Sequence, residues 1–224
     1  GSVFFGGAIF GFGPGSLAFL FALVFSVVTA EWIRKRARST SDILLVGVVF
    51  GFFFTALATL VLSIADPLEL SHSMSWLMGT ATYVELHWSI LSLLAIVAAA
   101  FGAWLQWRQI DLLAVDELTA KSLGVDVARL RLILYIYVAL IVSISVSLSG
   151  VIGFVGLVIP HVMRKIGYRS AFFLIPVSFF SGATLVLFAD LAARTIIRPN
   201  ELPVGVVLSL IGAPAFLYLL RRSA

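Results

Sequence analysis

The sequence predicts an all-α polytopic membrane bundle in a single transmembrane domain over 1–224, with about seven transmembrane helices after an N-terminal stump. Three observations carry that expectation. Of the 224 residues, 61% are hydrophobic and only 12% charged, whereas soluble domains run about half apolar and about a quarter charged. Apolar runs recur at the length of about 20 residues that a helix needs to cross ~30 Å of hydrocarbon. Lysine and arginine are confined almost wholly to alternate connections between those runs, as the positive-inside rule demands.

Other classes are excluded by what is missing. There are no cysteines, so disulfides, thiolate metal sites and cysteine nucleophiles are ruled out together. His72, His87 and His161 are too scattered to suggest a metal site, and no metal ligand is expected. The sequence has no GxxxxGK[ST] phosphate loop and no nucleophile–base pair, so neither an enzyme nor a bound cofactor is expected. The formal charge of +4 reads as basic cytoplasmic connections and not as a nucleic-acid footprint.

In order, residues 3–10 are too short to span and run into the turn signal GFGPG at 11–15, so they read as a helix stump. No charged n-region with a cleavage site precedes them, so no signal peptide is expected; Gly1-Ser2 is compatible with a chain that begins partway through a longer protein. A first span over 16–33 closes on Trp32 and the basic Arg34, Lys35, Arg36 and Arg38, and residues 39–42 offer helix caps. A second span, 43–64, carries Gly47, Gly51, Thr55, Ala56 and Thr59, small residues that let helices approach closely. The polar connection 65–85 holds Asp66, Glu69, His72, Trp76, Tyr83 and Glu85, without lysine or arginine. A third span, 86–107, is flanked by Trp88 and by Trp104 and Trp107, as an aromatic belt requires.

The segment 108–131 mixes charges with apolar residues and reads as two short amphipathic helices broken by Gly124. Spans at 132–149, 171–193 and 204–220 follow. Between the first two of these lies SGVIGFVGLVIPHVMR at 149–164, the least ordinary stretch of the chain. If the connections 34–38, 108–131, 164–169 and 221–222 share the cytoplasmic side, every lysine and arginine except Arg194 and Arg198 lies there. That count places the C-terminus in the cytoplasm, and it works only if 150–163 itself crosses. At about 1.5 Å per helical residue, such a segment is too short for a full helical crossing. It must combine extended, glycine-rich backbone with a short helix, inside the bundle where protein covers it.

Together LLVGVVFG (44–51), SWLMG (75–79), DELTAKSLGVDVARLR (116–131), SGVIGFVGLVIPHVMR (149–164), GATLVLFADLAAR (182–194) and ELPVGVVLSLIGAPAFLYLL (201–220) resemble the permease subunits of type II ABC importers for iron–siderophore complexes, haem and cobalamin. The resemblance covers about 16–224, and it implies that the first three of ten family spans are missing or reduced to 1–10. It implies a multi-pass permease of the inner or plasma membrane that works by alternating access. The implied partners are ABC ATPase subunits holding ATP and Mg, a periplasmic or lipid-anchored substrate-binding protein, and a second permease subunit in a homo- or heterodimer.

Residue by residue, the resemblance makes 108–131 the segment that docks on the ATPase, through Asp116, Glu117, Ala120, Ser122, Leu123 and Gly124. It makes Arg194 a docking point for the binding protein, beside the plainer reading of an i, i+4 ion pair with Asp190. Thr40 and Ser41 match positions near the cytoplasmic gate, with helix capping as the plainer account. Gly150, Gly153, Gly156 and Pro160 are expected to form a structural hinge beside the pathway. His161 is expected to be a hydrogen-bonded structural residue, and Trp76 and Gly79 interfacial anchors of the outer connection. Two other readings are an ion-coupled secondary transporter, which needs ionisable residues in mid-span, and a truncated, non-transporting remnant.

Overall fold

The computed structural model describes residues 14–36, 40–64, 66, 70, 74, 77–79, 86–196 and 202–221. All regular structure among them is helical: α1 (Pro14–Arg36), α2 (Thr40–Ser63), α3 (Leu86–Trp104), α4 (Trp107–Val115), α5 (Glu117–Ser122), α6 (Val127–Ser149), α7 (Val155–Ile166), α8 (Ala171–Thr195) and α9 (Val204–Arg221). By length and composition, Leu45–Ser63 of α2, α6 and α8 can each cross a membrane; α3 and α4, bent by 54°, together supply a fourth such element. The spans expected at 16–33, 43–64, 171–193 and 204–220 fall within a few residues of α1, α2, α8 and α9.

The span expected to start at 132 starts instead at Val127. The cause is local: the Asp126 carboxylate accepts the Arg129 amide at 3.0 Å, capping a helix whose first turns are charged. The two short helices of the charged segment accordingly both precede Gly124, and they part at Asp116.

The expected mixture of unwound backbone and short helix is present. Helix α6 ends at Ser149, and Gly150 turns the chain at φ 68°, a conformation that favours glycine. Phe154 then takes φ 66° immediately before α7, unusual for a bulky residue and worth about 1–3 kcal/mol of strain. At 12 residues, α7 is about 18 Å long.

Packing forms two groups. Helices α1 and α3 lie against α6, while α7, α8 and α9 pack on one another, and α8 also meets α3 and α4. The second group encloses a core of Ala189, Ala193, Val204, Val207 and Leu208, onto which Ile152 and Val155 close from the unwound segment and the start of α7. On the other side, Phe25 of α1 sits between Phe50 and Phe54 of α2 at ring distances of 5.0 and 4.5 Å. No residue of Leu45–Ser63 is buried.

Close approach rests on glycine at specific points. A Cβ on Gly212 of α9 would lie 2.6 Å from the Phe154 Cβ, so the strained residue is seated in a notch that only glycine leaves open. At the far end of α9, three backbones meet: Gly79 is buried at φ 79°, its carbonyl accepts the Val204 amide at 3.0 Å, and a Cβ on Gly79 or on Gly205 would each lie 2.9 Å from the Val151 carbonyl. Gly79 is therefore a packing residue of this junction and not a surface anchor; Trp76 lies outside the described residues.

The Gly212→Val variant should lower the melting temperature of the detergent-solubilised protein, at a cost of about 1–3 kcal/mol from overpacking against Phe154. Gly153→Ala, whose Cβ would meet nothing within 4 Å, should stay within about 0.5 kcal/mol of the parent. Thermal unfolding of both variants checks the contrast, and equal losses would contradict the notch.

Candidate functional site

The charged segment is built by its own side chains. Asp116 has extended backbone, φ −167° and ψ 145°, which stops α4. Its Oδ2 accepts the amides of Leu118 and Thr119, each at 3.1 Å, and the Thr119 hydroxyl at 3.3 Å, which starts α5. One aspartate thus ends one helix and caps the next. Helix α5 lasts only to Ser122, because Gly124 at φ 84° turns the chain and the Val125 amide returns to the Ala120 carbonyl at 3.0 Å.

Glu117 ties this hairpin to α6. Its carboxylate meets Lys121 Nζ at 2.9 Å, one turn along α5, and Arg131 Nη2 at 2.7 Å. Hydrogen bonds first from Lys121 and then from Arg131 hold the Glu117 carboxyl below the usual carboxylate range.

Apolar and polar side chains share the outward face. Val115, Leu118 and Leu123 are 77%, 74% and 62% exposed, beside the exposed Asp116, Thr119, Lys121 and Ser122. Of the six expected contact residues, Ser122, Leu123 and Gly124 are on this outer face, Asp116 and Glu117 spend their carboxylates on the hairpin itself, and Ala120 is fully enclosed beneath. Val115 and Leu118 belong to the face although the expected set omitted them; their apolar character between charged neighbours was the available signal.

A second feature absent from the sequence expectations lies behind the hairpin. Asp111 of α4 accepts the Ser170 hydroxyl at 2.6 Å through Oδ2 and the Ala171 amide at 2.7 Å through Oδ1. Trp104 donates its indole N–H to the Phe172 carbonyl at 2.9 Å. The signal for the first contact was Ser170 directly before an apolar run, a helix-capping position.

The remaining candidates are dispersed. Arg194 Nε lies 2.9 Å from Asp190 Oδ2 near the end of α8, so the i, i+4 pair is formed. His161 faces Phe216 edge-on at 6.1 Å between centroids, and its enclosed Nε2 has no hydrogen-bond partner among the described residues. Thr40 and Ser41 open α2, and their side chains lie outside the described residues. In the expected hinge only Gly150 has a backbone that demands glycine; Gly153 and Gly156 have open space where a Cβ would go, and Pro160 sits within α7. Among the described residues, no three His, Asp or Glu side chains converge as a metal site would.

The described residues thus form a bundle of apolar helices, several long and apolar enough to cross a membrane, with one unwound segment and a capped hairpin. The chain belongs to the FecCD transport family, which it matches over residues 1–222. It is 38% identical over 206 residues to the vitamin B12 import system permease protein BtuC of Vibrio vulnificus, covering 92% of this chain and 62% of that protein. It is 40% identical to the protein of the same name from Vibrio cholerae, over the same shares of the two chains. Among solved structures it is similar to an inward-facing metal-chelate type ABC transporter, with a TM-score of 0.74 and 32% identity over 96% of this chain and 65% of that one. The chain thus spans a little under two thirds of the length of these relatives.

The ordinary carboxyl value for Glu117 is 4.5 and its folded value is lower, so the tie is fully present above the ordinary value and is lost only as pH falls through the folded one. In a carboxyl-carbon NMR titration, Lys121→Ala and Arg131→Ala should each move the Glu117 midpoint back up. An unmoved midpoint in both would refute the pairing.

Proposed function

We propose that this chain is the transmembrane permease subunit of a type II ABC importer for iron–siderophore, haem or cobalamin-type substrates, with the permeases named for vitamin B12 import supporting a cobalamin-like chelate. The observation that carries the reading is the apolar face of Val115, Leu118 and Leu123 on a hairpin held rigid by Asp116 and Glu117, within a FecCD-family chain. Such a face suits a cleft on a cytoplasmic ATPase. Nucleotide closure there would move the hairpin and its attached helices, switching access from one side of the membrane to the other.

In this reading 1–224 is one transmembrane permease domain in the inner or plasma membrane, with its C-terminus in the cytoplasm. ATP and Mg belong to two partner ATPases, and this chain binds neither cofactor nor metal. A second permease subunit completes the pathway, and a periplasmic or lipid-anchored binding protein delivers substrate at the end where Arg194 lies. Gly150, Gly153, Gly156 and Pro160 form the hinge, and Thr40 and Ser41 lie near the cytoplasmic gate. Ion coupling is disfavoured because Asp190, the acidic residue of α8, is already paired with Arg194 near the helix end.

Two variants, one double and one single, test this reading. Leu118→Glu with Leu123→Glu should reduce co-purification of the ATPase by roughly tenfold or more, as for central anchors of an interface, and should abolish substrate-coupled ATP hydrolysis in reconstituted complexes. Unchanged association would reject the docking face. Arg194→Glu should weaken association with the binding protein in a pull-down while leaving ATPase association intact; full retention of the binding protein would remove Arg194 from that interface.

A further inference from the structure

We propose that Asp111 and Trp104 form a clamp that carries movement of the docking hairpin into α8, so that the permease is driven through the start of that helix as well as through α6, which follows the hairpin in sequence. The proposal rests on the permease reading above and adds the mechanical connection that reading needs.

The argument begins with the first turn of α8. Four amides at a helix start and any carbonyl facing a proline lack intrahelical partners. Ser170 caps conventionally, its hydroxyl accepting the Phe172 amide at 3.3 Å. The same hydroxyl donates to Asp111 Oδ2 at 2.6 Å, and Asp111 Oδ1 takes the Ala171 amide at 2.7 Å. Both carboxylate oxygens of a residue on α4 are thus committed to α8, in charge-assisted bonds of the stronger class.

A third point of attachment follows from Pro176. In an α-helix the Phe172 carbonyl would accept from residue 176, but Pro176 has no N–H. Trp104 fills that vacancy with its indole N–H at 2.9 Å. The Phe172 ring packs against both Trp104 and Trp107, each at 5.2 Å between centroids. Trp104 ends α3 and Trp107 begins α4, so the elbow with its 54° bend is bound to α8 on both of its arms.

The geometry makes the elbow and the first turn of α8 one body. Asp116, which starts the docking hairpin's second helix, is only five residues from Asp111 along the same segment. A displacement applied at Val115, Leu118 and Leu123 therefore acts on α8 without passing through the unwound 150–154. Helix α8 in turn packs on α7 and α9.

The test uses the permease reconstituted in liposomes with its ATPase and binding protein. In the Asp111→Ala complex, ATPase association and ATP hydrolysis should stay within about twofold of the parent, while substrate carried per ATP falls roughly tenfold or more, the range of a coupling free energy between sites. Trp104→Phe, which removes only the indole N–H, should lower the same ratio in the same direction. Because the chain has no cysteine, the pair Asp111→Cys with Ser170→Cys can be joined by oxidation or by a short bifunctional thiol reagent. The joined pair should regain transport per ATP and an oxidised pair should lose it again on reduction, although neither state restores the capping bonds. Transport per ATP unchanged in Asp111→Ala overturns the clamp, as does a joined pair no better than the reduced one. Loss of assembly and transport in proportion would make Asp111 merely structural and also overturns it. An unmutated complex that assembles no ATPase or shows no ATP-driven uptake overturns the permease reading first, and the clamp with it.

Discussion

Where lipid or packed protein shuts backbone off from water, a broken helix needs its missing partner from elsewhere in the molecule. Several tertiary hydrogen bonds here do that. Pro176 frees the Phe172 carbonyl, and Trp104 takes it; the start of α8 leaves the Ala171 amide open, and Asp111 takes it. At the opposite end of α8, the Leu202 amide returns to the Ala193 carbonyl at 3.1 Å, and the Val204 amide, which begins α9, goes to Gly79. Lys165 reaches the Leu219 carbonyl at 2.6 Å near the end of α9. Each of these connections between helices is therefore also the satisfaction of an open backbone group.

The same constraint separates glycines with a structural task from those without one in this chain. Gly79, Gly205 and Gly212 allow a foreign backbone or the Phe154 side chain to approach where a methyl group would collide, and Gly102 of α3 leaves room for the Tyr137 ring, only 2.6 Å from where its Cβ would stand. Gly153 and Gly156 show no such crowding. A break in lipid needs covering, and part of it is supplied to 150–154 by Gly79 and Gly205 at Val151 and by Gly212 at Phe154, while Val151 stays 52% exposed. The junction and the notch thus brace the unwound segment at both of its ends.

Hydropathy and charge counting made the span positions legible, because crossing length and basic connections are properties of the local chain. The start of α6 was not, since Arg129 and Arg131 read as part of the charged connection, in a short helix of its own, until Asp126 is seen to cap them into the span. The Asp190–Arg194 pair was legible from its spacing, and so was the helical character of the charged segment. The division of labour within that segment was not: Asp116 and Glu117 fit an interface by resemblance, yet their geometry is that of a cap and a tie, which only the fold reveals. Gly79 and Asp111 were illegible for the same reason, since their partners lie far away in sequence and no local period marks them.

Two of the ties between the hairpin region and the bundle, Glu117–Arg131 and Asp111 with the start of α8, differ in strength. Glu117 to Arg131 is an exposed pair, with side chains 39% and 44% accessible. Such pairs contribute about 0.2–1 kcal/mol and are screened by salt. Asp111 is part-buried, uses both oxygens, and meets donors that a helix start would otherwise leave unsatisfied. Removing one partner of such a bond leaves a buried group unpaired, at about 1–3 kcal/mol or more for a charged one. Of the two, the Asp111 contact is therefore the stronger tie, and α8, which receives it, packs in turn on α7 and α9.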